Sequence, residues 1–201
     1  MKRKSASLLC LFLLLAAPSL IALDFTYGLK GELLFCGFSG GHPNLKGYDG
    51  QDSNGIALGG YARFSYKNIL SIQPELLMAL KGDAFKNPAT GERISLTQLY
   101  LELPLLFTVS FPLPTAVPIA PRIYAGPYWG VHLFSTGKAT DFELDIKPFD
   151  FGVVIGYGVD VRWFFFDIGH SVGLTSVSGN LKYDTHFLTV GFRIFERVAS
   201  R

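Results

Sequence analysis

His170 followed by Ser171 is the first place in this chain to look for catalysis, because an imidazole beside a hydroxyl is the minimal base–nucleophile pair. The pair fails on geometry. Residues around it alternate apolar and polar as a strand does, so Ser171 leaves the opposite face, and the next residue on the face of His170 is Val172. His132 shares a polar face with Tyr124 and Tyr128, where a hydrogen-bonded lining is the expected use of such rings. Asp141, Glu143 and Asp145 of "DFELD" offer carboxylates to Ca²⁺ without the glycine and ligand spacing of a dedicated loop, and read as solvated charge. Lys30, Glu32, Arg63, Glu75, Glu102, Asp160, Arg162, Asp167 and Arg193 also share one face of their segments. Both signs are present in balance, which points to ion pairs in an enclosed interior rather than to acid–base catalysis. There is no nucleophile elbow, phosphate loop or metal-spaced cluster, so no catalytic residue, cofactor or metal is assigned.

The elements that must position these residues announce themselves by a period of two. In "FDFGVVIGYGVDVR" (149–162), Phe151, Val153, Ile155, Tyr157, Val159 and Val161 alternate with Asp150, Gly152, Val154, Gly156, Gly158, Asp160 and Arg162. Successive side chains leave a strand on opposite faces, so this is a strand with one greasy face and one face of glycine and charge. Seven more segments repeat the pattern: "DFTYGLKGELLF", "GIALGGYARFS", "ILSIQPELLMALK", "LTQLYLELPLLFTVS", "RIYAGPYWGVHLF", "WFFFDIGHSVGLT" and "HFLTVGFRIF". Long polar connections such as "SGGHPNLKGYDGQDSN" and "GDAFKNPATGER" follow the first, third, fifth and seventh segments. The turns after the second and sixth are very short, and the one after the fourth, "FPLPTAVPIAP", is proline-rich. An even number of strands with long loops at one end and short turns at the other is the plan of an outer-membrane barrel.

Alternation alone does not separate a membrane barrel from a soluble one. Glycine and charge do. Gly28, Gly59, Gly126, Gly130, Gly152, Gly156, Gly158, Gly169, Gly173 and Gly191 all fall on the polar face. Glycine weakens a water-facing strand surface, but in a narrow lumen small residues make room for large ones. The apolar face carries no Lys, Arg, Asp or Glu across the middle of any segment, where one basic residue at a bilayer midplane costs about 2–4 kcal/mol. On the polar face, Lys30, Arg63, Lys81, Arg122, Arg162 and Arg193 stand against Glu32, Glu75, Glu102, Asp150, Asp160 and Asp167. His170 is the polar ring expected on the lipid-facing side. Pro74, Pro104 and Pro127 fall inside strands, where local distortion is expected without a change of phase at Pro74. The expected fold is all-β: an eight-stranded antiparallel transmembrane barrel of the outer-membrane type.

Before the barrel, "MKRKSASLLCLFLLLAAPSLIA" has three basic residues, an apolar run from Leu8 to Ala17, then small residues and Pro18. This is the pattern of a secretory signal peptide, giving a division into residues 1–22 and a barrel domain over 23–201. Removing Lys2, Arg3 and Lys4 from the 18 Lys+Arg leaves 15 against 16 Asp+Glu, a near-neutral chain with no sign of a nucleic-acid partner. Cys36 is then the sole cysteine, expected as an accessible thiol at the outer rim. Beyond residue 22 no apolar run approaches the roughly 20 residues of a membrane helix.

The segments "LSIQPELLMALKG", "YLELPLLF", "YAGPYWGVHL", "FDFGVVIGYGVDV", "FFFDIGHSVGLTSV" and "LTVGFRIF" together resemble the porin-like outer-membrane β-barrel domain family, which includes PorT-like proteins. The resemblance covers essentially the whole mature chain and implies a bacterial outer-membrane location. Gly191, Phe192, Ile194 and Phe195 resemble the terminal strand read by the outer-membrane assembly machinery, although "ERVASR" follows where such signals end on an aromatic residue. Some barrels of this size are lipid A deacylases with an outward His and a Ser two residues on, a pattern absent at His170. The expected function is structural or surface-interacting and not enzymatic, with the lipid bilayer as immediate partner and an extracellular or periplasmic protein partner unnamed. The alternatives are a narrow channel or small-solute porin, a secretion-system component as in PorT-like proteins, and a lipid-modifying enzyme.

Overall fold

The computed structural model describes residues 23–40, 47–91, 93–138 and 146–198. Residues 1–22, expected as a signal peptide, with Cys10, and the carboxylates Asp141, Glu143 and Asp145 lie outside the described residues.

Among the described residues nine strands form: β1 (Asp24–Ser39), β2 (Asp49–Gln51), β3 (Ser53–Tyr66), β4 (Leu70–Lys86), β5 (Arg93–Ser110), β6 (Ile119–Lys138), β7 (Phe149–Val161), β8 (Phe164–Gly173) and β9 (Lys182–Arg197). Pairing runs β4-β3-β1-β9-β8-β7-β6-β5, and β5 returns to β4, closing an antiparallel ring of eight. β2 lies outside the count of eight. It prolongs the β3 ladder on β4, pairing Asp49–Gln51 with Ala84–Lys86 one residue out of register with the β3 pairs.

Two differences from the sequence reading concern the loop end. The stretch "GDAFK", expected as loop, is the outer part of β4, and the first long loop contains β2. Both belong to strand ends beyond the apolar band, where alternation between lipid and lumen no longer marks the strand. At the other end, Lys67 (φ 53) and Asn68 (φ 57) make the tight turn between β3 and β4, and Arg162 (φ 54) turns β7 into β8. Consecutive left-handed residues suit a two-residue hairpin because their twist matches that of the strands.

The greasy face points outward. Leu29, Leu58, Met78, Phe107, Ile123, Ile155 and Val190 are each more than half exposed on the barrel wall. Aromatic pairs belt both ends: Tyr27–Phe195 (5.3 Å), Phe25–Phe64 (5.1 Å) and Phe164–Phe192 (5.2 Å) near the termini, and Trp129–Phe151 (5.6 Å) towards the loops. Amphipathic and ring side chains at these two levels are what a bilayer's interfaces select.

Inside, glycine and ring interlock. A β-carbon at Gly152 would strike the Tyr128 ring, one at Gly156 the Tyr124 ring, one at Gly169 Phe187, and one at Gly191 Phe165. Gly158 leaves room in the same way for the Asp167 carboxylate.

Pro74, Pro104 and Pro127 interrupt the ladder without shifting it. Pairing lapses between Tyr61–Glu75 and Phe64–Ile72, between Pro74–Leu105 and Leu77–Glu102, and between Pro104–Tyr128 and Phe107–Ala125, and resumes each time in the same register. A proline lacks the N–H that the ladder needs, and three on adjacent strands confine the loss to one patch of wall.

Cys36 differs from its expectation. It is buried at 2 % exposure on the lumen face rather than offered at the rim. Its neighbours Phe35 and Leu33 take the outward positions, so its even number sends it inside.

Candidate functional site

The charges converge in the lumen. Lys30 Nζ lies 2.7 Å from Glu32 Oε1 and donates to Glu75 Oε2 at 2.8 Å; both carboxylates are buried. Gln73 donates to Glu75 and accepts from Arg63 Nε at 2.6 Å, linking that cluster to the next. Arg63 Nη1 reaches both oxygens of Asp160 at 3.0 and 2.9 Å, and Arg122 Nη2 grips both oxygens of Asp167 at 2.8 and 2.7 Å. Arg122 also donates from Nε to Asp167 Oδ1 at 3.2 Å, and this two-pronged contact holds geometry as well as charge.

Nearer the loops, Lys81 Nζ sits 2.6 Å from Glu102 Oε1 and faces the rings of Tyr183 (4.3 Å), Tyr100 (5.3 Å) and Tyr128 (5.7 Å). Electron-rich ring faces supplement one carboxylate around the buried ammonium. Asp150 accepts hydrogen bonds from the Tyr128 and Thr175 hydroxyls at 2.8 and 3.0 Å instead of pairing with a cation.

Two of the nine expected network residues stand elsewhere. Arg162 occupies the exposed β7–β8 turn, and Arg193 pairs with Glu196 at 2.9 Å near the termini. Both line a hollow of about 210 Å³ at the terminus-end mouth, together with Asp24, Arg63 and Glu196. Alternation carries no depth, and Arg162 lies beyond the last residue of β7. Among the described residues, Lys30, Arg63, Lys81 and Arg122 pair inside with Glu32, Glu75, Glu102, Asp160 and Asp167, while Asp150 is served by hydroxyls.

An aromatic layer closes the loop end. Phe38 stacks on Phe85 (5.6 Å) and Tyr183 (4.9 Å), and Tyr183 meets Tyr100 edge-on (5.7 Å). Val177 and Leu181, from the β8–β9 connection, are buried in the same cluster. His132 is not in this lining as expected: half-buried above it, the ring bonds Ser135 at 2.7 Å and touches Tyr100 at 5.3 Å. Between the aromatic layer and the arginines, the cavity bounded by Lys30, Glu75, Lys81, Glu102, Tyr124 and Tyr128 measures about 30 Å³, room for about one water.

A second cluster lies on the outside of the wall. His170 on β8 points outward as expected, but it has company. Its Nε2 is 2.5 Å from Asp184 Oδ1, and its ring stacks on His186 at 4.2 Å with 15° between planes. His170 and His186 are direct partners across β8–β9. His186 was missed although the signal was present, since it stands two residues before Leu188 and so shares its outward face.

A family model described as "Outer membrane protein beta-barrel domain" matches residues 22–179. No curated protein matches the sequence significantly. Among solved structures, the outer membrane protein OprG from Pseudomonas aeruginosa is 11 % identical, aligning over 86 % of this chain and 96 % of that one with a TM-score of 0.58. Neisserial surface protein A is 12 % identical over 83 % and 95 % of the two chains, with a TM-score of 0.48. Ail, the attachment invasion locus protein of Yersinia pestis, is 13 % identical over 86 % and 99 %, with a TM-score of 0.40. At such identities the likeness to OprG speaks for the fold alone.

Proposed function

The chain belongs to the outer-membrane protein β-barrel domain family and resides in the bacterial outer membrane, and from that premise we propose that it is a closed, non-catalytic barrel with a structural or surface-interaction role. The observation that carries this reading is the filled lumen. Ion pairs, four tyrosines and an aromatic layer leave a central cavity of about 30 Å³, far below what a solute path needs. Eight strands enclose an interior about wide enough for side chains, and these side chains fill it. On this reading any binding falls to the loop end, where β4, β5 and β6 run out to Lys86, Arg93 and Lys138. The assembly machinery would engage β9, whose Phe192, Ile194 and Phe195 stay exposed beside a register shift at Tyr27/Gly28. Against lipid-modifying catalysis, the next outward residue on the strand of His170 is Val172, which offers no nucleophile.

The test is conductance. The protein refolded into a planar bilayer is expected to give no stable single-channel steps, whereas steps of porin size would overturn the closed-barrel reading in favour of a channel.

A further inference from the structure

We propose that His170, Asp184 and His186 form a binding site for a divalent transition ion of the Zn²⁺ class on the loop-end rim of the barrel wall. Three observations converge there. First, among the described residues these three offer one donor atom each within 4.8 Å of one another. Around a tetrahedral ion with bonds of about 2.0–2.2 Å, donor atoms stand about 3.3–3.6 Å apart, so closure asks roughly an ångström of side-chain movement. Second, two of the donors already meet: His170 Nε2 and Asp184 Oδ1 are 2.5 Å apart, a hydrogen bond that a metal ion would replace. Third, the site has a floor and an opening. The residues below it on the same faces, Ile168 and Leu188, belong to the apolar band. On its loop side lies a surface hollow of about 260 Å³ bordered by Gly37, Asp52, Asp184 and His186, which leaves a coordination position open to water.

The donor set selects the ion. Two imidazoles and one carboxylate with an open position suit Zn²⁺ and its neighbours, while Ca²⁺ and Mg²⁺ prefer oxygen ligands throughout. Ligands from β8 and β9 would make the ion a clip across the last hairpin, holding its loop end together.

The experiment uses the untagged chain refolded in detergent, with Co²⁺ as the spectroscopic probe and Zn²⁺ as competitor. One Co²⁺ per chain is expected, with the visible absorption of a four-coordinate ion, bleached by Zn²⁺. Losing a group that merely orients a ligand costs about tenfold or more in affinity, so His170→Ala and His186→Ala should each cost at least about tenfold. Asp184→Asn should weaken binding, and His132→Ala should leave it unchanged. Zn²⁺ should raise the temperature at which the folded band is lost on a gel in the wild type but not in the histidine variants. Failure of the wild type to bind Co²⁺, or equal affinity in a folded His170→Ala/His186→Ala double variant, would overturn the proposal. Should that double variant not fold, the wild-type Co²⁺ spectrum decides alone: octahedral, weakly absorbing Co²⁺ counts against the site.

Discussion

Gly156 has no side chain because the Tyr124 ring occupies the place where one would go. The same trade recurs at Gly152 with Tyr128 and at Gly191 with Phe165, so the glycines of the polar face and the buried rings are two halves of one packing device. Overpacking a tight interior costs about 1–3 kcal/mol, and Gly156→Ala is expected to fall in that range by denaturant titration in lipid vesicles. The cause is testable by a double-mutant cycle. In a Tyr124→Ala background the same substitution should cost almost nothing, because the obstacle is gone. An undiminished cost there would place the strain in the backbone instead. The partnership was only half legible in the sequence: small residues opposite large ones were expected, but which ring meets which glycine depends on register across strands. The tyrosine cage of Lys81 was hidden for the same reason, since its rings come from β5, β6 and β9.

At the level of the strand, period two was enough to find all eight members of the ring and to assign their faces, because lipid and lumen impose opposite demands at every step. Depth was not legible. Arg193 faces inward but stands at the mouth, Arg162 falls in the turn beyond the end of β7, and Cys36, expected as an accessible thiol at the rim, is buried. Alternation has no marker for height. β7 offers the sharpest test of face, since Ile155 is 61 % exposed on the wall and Val154 beside it is 7 % exposed in the lumen. Ile155→Arg should cost about 2–4 kcal/mol, the penalty of a basic side chain deep in the hydrocarbon. Val154→Thr keeps the shape and places a hydroxyl in a cavity also lined by Ser171 and Thr185, so its cost should stay below about 1 kcal/mol. Vesicle refolding with urea titration measures both. A reversed order would turn the barrel wall inside out.

For the molecule as a whole, the proposed closed barrel would make the interior a sealed electrolyte. Lys30, Arg63, Lys81 and Arg122 meet their carboxylates at 2.6–2.9 Å, with side chains no more than 12 % exposed. Surface pairs are screened as salt rises, the Debye length shrinking from about 10 Å at 0.1 M to about 3 Å at 1 M. Screening requires that ions enter; the hollow at the terminus-end mouth reaches Arg63 and Asp160, but the central cavity beside Lys30 and Lys81, about 30 Å³ and behind an aromatic layer, admits none. The stability of the vesicle-embedded protein should therefore change by less than about 1 kcal/mol between 0.1 and 1 M NaCl, as salt-insensitive as a buried pair should be. Lys30→Met should act very differently. It strands Glu32 and Glu75 together without their cation, and breaking a buried pair from one side costs about 3–5 kcal/mol. High salt should restore little of that loss in a sealed lumen. If salt rescues Lys30→Met, or markedly weakens the wild type, ions reach the lumen from solution. The barrel would then be open, and the channel reading would displace the closed one.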